Sequence, residues 1–110
     1  MIELSPVDVL RALKRCLCLA QQDVLCSAYL DVGDRECCKE YALARSGIYQ
    51  WLQRMVLEYG VNQTYLFAVA RYDDLPLFVK SSHDCGEGEA LEVFFRFVAG
   101  ECPSSAQIHA

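Results

Sequence analysis

The order of elements, helices first and strands last, predicts an α+β fold: two to three N-terminal helices packed on a C-terminal three-stranded antiparallel sheet. Three observations lead there. Apolar residues recur every three or four positions up to Tyr59. Beyond Gly60 the chain turns rich in aromatic and β-branched residues. Residues 91–98 alternate in the period of a strand. One domain is expected over residues 1–100, with 101–110 as a flexible tail.

Ser5-Pro6-Val7-Asp8 reads as a helix start: Ser5 can cap, Pro6 suits the first helical position, and Asp8 favours the positive end of the helix dipole. The series Leu10, Leu13, Leu17, Ala20, Val24 makes one apolar stripe. It continues through Leu25, Ala28 and Tyr29 until Gly33 stops it. Asp34 caps the next helix, where Tyr41, Ala44, Ile48, Leu52, Met55 and Tyr59 keep helical spacing. Ser46-Gly47 lies in its middle and either kinks it or divides it in two, because Gly inside a helix costs about 1 kcal/mol against Ala. Thr64–Tyr72 reads as the first strand and Asp73-Asp74-Leu75-Pro76 as a turn. Leu77–Lys80 is the second strand and residues 81–89 a polar loop. The third strand covers 91–98, with a helix as the alternative there.

Composition narrows the class of function. The 110 residues are 54% hydrophobic and 23% charged, enough for one core without staples. Net charge is −5 and the pI about 4.9, which disfavours nucleic acid and favours a partner with a basic surface. Charged residues Glu3, Asp8, Arg11, Lys14 and Arg15 occupy the stretch where a secretion signal would be apolar, and no run is long enough to span a bilayer. The expectation is a cytoplasmic protein whose seven cysteines are reduced, buried or idle thiols.

No motif carries recognisable chemistry. Cys16-Leu17-Cys18 and Cys37-Cys38 lack the spacing of a zinc knuckle. His83 and Cys85 with a remote Cys102 do not complete a tetrahedral site. No metal and no cofactor is expected. Cys85, two residues from His83, is the one candidate nucleophile, and it supports a thiol enzyme as a second alternative. Gly86-Glu87-Gly88 has no following Lys and is no phosphate cradle. The first alternative is a winged-helix-like DNA regulator: a break at Ser46-Gly47 would create a recognition helix over 48–59, but Gln50, Gln53 and Arg54 are its only readers.

The aromatic residues say most. Tyr49, Trp51, Leu57 and Tyr59 do not fit the stripe of Ile48, Leu52, Met55 and Val56. On a strand, Phe94 and Val98 would lie opposite Phe95 and Phe97. Apolar surface in excess of one core predicts a non-catalytic protein–protein interaction module. It would be a small acidic inhibitor or regulator and a homodimer, binding through Tyr49, Trp51, Tyr59, Phe94 and Val98.

Overall fold

The computed structural model describes residues 5–30, 32–76 and 86–101. Among these it is 94% helical, with three helices and no strand: a helical bundle in place of the expected α+β sheet. Helix α1 is Pro6–Cys26, followed by a 3-10 turn, Ser27–Tyr29. Helix α2 is Val32–Asp73 and α3 is Gly86–Arg96, which runs into a π-type turn, Phe97–Glu101.

Local chemistry accounts for the ends. Ser5 is extended at the start of α1, its carbonyl accepts from Val9 N–H at 3.2 Å, and Pro6 takes the first helical position, though the Ser5 hydroxyl caps nothing. At the other end the stripe does not run on to Gly33 as expected. Ser27 Oγ donates to Val24 O at 2.6 Å, the helix tightens into the 3-10 turn, and Leu30 is extended. Gly33 instead lies inside α2.

Ser46-Gly47 does not interrupt α2. Ser46 Oγ donates to Ala42 O at 2.9 Å, which satisfies the hydroxyl on the helix itself. The break comes at Gly60, whose φ of 83° and ψ of 171° suit glycine and few other residues. Its consequence is large. Trp51 and Arg71 are twenty residues apart, about 30 Å along a straight helix, yet the Arg71 guanidinium sits 4.7 Å from the centre of the Trp51 ring. Tyr59 and Phe67 meet edge to face at 5.5 Å. The arms 32–59 and 61–73 therefore fold back on each other.

The other pairings run the same way. Asp23, late in α1, pairs with Arg45, early in α2, while Val7 and Leu10 share a groove with Gln53 and Leu57. Glu87, early in α3, pairs with Arg71, while Phe95 meets Tyr65 edge to face. Each segment is antiparallel to the one before, giving an up-down-up-down bundle of four helical segments. Its core is Val9, Leu13 and Ala20 of α1, Ile48, Leu52 and Val56 of the first arm of α2, Val61 and Ala68 of the second, and Leu91 and Phe94 of α3.

Both testable strands are helices, for a physical reason. Within Thr64–Tyr72, Thr64 and Ala68 are buried four residues apart and continue from Val61, so helical spacing defeats β propensity. In 91–98 the same apolar run satisfies two periods. Leu91, Phe94 and Phe97 form one helical face, Glu87 and Glu89 favour the N-terminal end, and Arg96 favours the C-terminal end. Gly86-Glu87-Gly88, expected in a loop, is the first turn of α3. Gly86 lies so close to the Tyr41 carbonyl and to Ala44 that a side chain would collide with them. The expected second strand 77–80 lies outside the described residues, as do residues 102–110 of the expected tail.

Candidate functional site

Two surfaces stand out, one at each end of the bundle. The first is a cleft of about 420 Å³ where the end of α1 meets the start of α2. Cys26, Ser27 and Leu30 line it from the α1 side, and Cys37, Cys38 and Tyr41 from α2. Arg45 and Asp23 line it as well, with Nη1 donating to Oδ2 at 2.8 Å. The same guanidinium lies 5.4 Å from the centre of the Tyr41 ring.

Behind this pair a polar chain enters the core. Arg45 also lies near the Tyr49 hydroxyl, which lies in turn near the Cys16 sulfur. Burial pushes the Cys16 thiol up, further than Tyr49 and the nearby Arg45, Arg15 and Arg96 pull it down. Burial likewise raises the Tyr49 phenol. For Arg45 burial acts to lower its pKa, but Asp23 and Tyr49 outweigh it and the net shift is upward. At neutral pH the chain holds a thiol, a phenol and one ion pair. It is an anchor between α1 and α2, with no thiolate at Cys16 to act as a nucleophile.

The second surface surrounds the Gly60 turn. Leu57 is 73% exposed, Leu66 59% and Tyr59 54%, all within six residues of the turn. Across a shallow groove from Leu57 lies Val7, also exposed, with Arg11 and Lys14 on the rim.

The residues singled out from the sequence are divided by the fold. Tyr49 and Phe94 are core side chains and present no surface to a partner in this fold. Trp51 is half-buried beneath Arg71, and Val98 is half-buried against the core. Tyr59 is exposed at the Gly60 end. Phe94 fell on the wrong side of the reading because on a helix it shares the face of Leu91, whereas on a strand it would not. Leu57, off the helical stripe, was the legible signal for the exposed end. The Asp23–Arg45 pairing, twenty-two residues apart in sequence, had no local signal.

The alternative readings lose their supports or lie out of reach. A recognition helix needs a turn before it, and Ser46 and Gly47 are continuous helix; a wing needs strands, and the described residues have none. Asp73 ends α2 and Asp74 follows in a turn. Cys85, His83 and Cys102 lie outside the described residues. Among the described residues no three His, Cys, Asp or Glu side chains are grouped to hold a metal ion, and no helix is long and apolar enough to cross a membrane. The five described cysteines are free, and four of them are exposed instead of buried. Comparison of the chain with family models, with curated proteins and with solved structures finds no match in any of the three.

Proposed function

We propose that this chain is a non-catalytic protein-binding module, a small acidic regulator that acts by covering part of a partner's surface. The observation that carries the reading is the apolar end at Gly60, where Leu57, Tyr59 and Leu66 stand in solvent. A bundle of this size has room in its core for large side chains, as Phe94 and Leu52 show. Three such residues left outside near the Gly60 turn offer a partner apolar area to cover. Tyr59 is the anchor of choice, since Tyr offers wide apolar area with little entropy to lose. The net charge of −5 adds long-range attraction toward a basic partner.

The experiment is quantitative affinity capture from the native host, comparing wild type with the Leu57→Asp/Leu66→Asp variant. Circular dichroism serves as the folding control. A protein enriched by wild type and lost with the folded variant supports the reading. Equal profiles from the two folded baits would sink it.

A further inference from the structure

We propose that the cleft between α1 and α2 is a thiol–disulfide exchange site, at which Cys26, Cys37 and Cys38 react with a small organic disulfide. The inference stands apart from the apolar end and from the partner it would bind.

Three facts converge on it. The fold gathers thiols from two elements into one concavity: Cys26 from the end of α1, Cys37 and Cys38 from the start of α2. All three are exposed. The cleft, at about 420 Å³, falls in the range that encloses small molecules, and Leu30 and Tyr41 give it apolar walls for the body of a reagent. Attack by a thiolate depends on access and on a favourable electrostatic setting. Here the Arg45 guanidinium lines the cleft in its ion pair with Asp23, so access and the apolar walls carry the site.

The remaining described cysteines provide the contrast. Cys16 is withdrawn into the interface behind Tyr49, and burial keeps it a thiol. Cys18 is exposed on α1 but does not line the cleft. Exposure alone would make Cys18 the equal of the cleft cysteines; a built site would not.

The chemistry balances without a further reagent. A cleft thiol gives up its proton, and its sulfur attacks one sulfur of the small disulfide. The S–S bond of the reagent breaks as the new one forms, and the departing thiolate takes up the proton. One protein thiol and one small disulfide become one mixed disulfide and one small thiol. The mixed disulfide is the product that the test reads.

The probe is hydroxyethyl disulfide, uncharged so that reagent charge plays no part. Loss of each free thiol in the folded full chain is followed by quenching with an alkylating agent and tandem mass spectrometry. At least one of Cys26, Cys37 and Cys38 should react about tenfold faster than Cys18, and the difference should vanish in denaturant, where all thiols approach a common intrinsic reactivity. Tyr41→Ala, which removes an apolar wall, should slow the cleft thiols and leave Cys18 unchanged, with circular dichroism confirming the helices. If that variant fails to fold, Leu30→Ala asks the same question from the α1 side. Equal rates at Cys18 and at every cleft cysteine of the folded wild type would overturn the proposal. So would a cleft rate indifferent to both wall substitutions in folded variants.

Discussion

Thr64 is completely buried, yet its hydroxyl has no hydrogen-bond partner. Thr in a helix commonly bonds back to the carbonyl four residues earlier, but that residue is Gly60, where the helix is broken. A buried hydroxyl left unpaired costs about 1–3 kcal/mol, and a side chain of the same shape without it avoids the penalty. Thr64→Val should therefore stabilise the protein by about 1–2 kcal/mol, read as a higher urea midpoint at unchanged slope; a lower midpoint would mean that the hydroxyl has a partner. Cys16 and Tyr49 make a second prediction. Both are acids raised by burial above their ordinary values of 9.0 and 10.0. In the alkaline range the unfolded chain ionises first and binds fewer protons than the folded one, so stability falls as pH rises. The loss should begin near pH 9, with no contribution from these two groups below it. Cys16→Ala should flatten the decline of urea stability between neutral and strongly alkaline pH. An unchanged slope in that variant would count against the burial assigned to the thiol.

Two glycines of α2 should respond to alanine with opposite sign. At Gly47 the backbone is helical and nothing lies within 4 Å of the added methyl group. Gly47→Ala should gain about 1 kcal/mol. Gly60 also has open space around it, but its φ of 83° is a conformation that side chains disfavour. Gly60→Ala should lose about 1–3 kcal/mol, all of it backbone strain. Thermal or urea unfolding of the two variants gives both signs at once, and a stabilising Gly60→Ala would argue against a reversal at that residue. The contrast also shows what the sequence could and could not yield. A first helix starting at Pro6, a second up to residue 59, and the stop at Gly60 were legible from apolar spacing and one glycine, whereas the end of the first at Cys26, short of Gly33, was not. What followed was not. Thr64–Tyr72 and 91–98 have the composition of strands, and only the antiparallel return at Gly60 gives Thr64, Ala68 and Phe94 a core to face. The exposed end was half legible, because Leu57 and Tyr59 fell off the stripe. Tyr49 fell off it too and is buried, since the second arm of α2 and α3 supply faces that a single helix does not reveal.

At the scale of the whole molecule, the acidic balance and the apolar end oppose each other when two copies meet. Each chain carries a net charge of −5, so approach is repulsive over about a Debye length, roughly 8 Å at physiological ionic strength. Contact through Leu57, Tyr59 and Leu66 is favourable and hardly screened, because apolar burial does not depend on charge. Burying each large side chain is worth about 1.5–3 kcal/mol, and association itself consumes several kcal/mol of that gain. The balance predicts a weak self-contact whose salt dependence has a definite sign. Added salt should strengthen it, by screening the repulsion while leaving the apolar contact intact. A contact built instead on ion pairs, such as Arg11 and Lys14 against the acidic start of α3, would weaken with salt. Sedimentation equilibrium at low and high ionic strength separates the two. Wild type should show an apparent mass that rises with both concentration and salt. Leu57→Asp should stay at the monomer mass throughout with its helicity intact, since the added carboxylate puts a like charge in the middle of the contact. Association that weakens with salt would move the interface away from the Gly60 end and onto charged surface. A wild type that remains monomeric under all conditions would leave that end to a foreign partner alone.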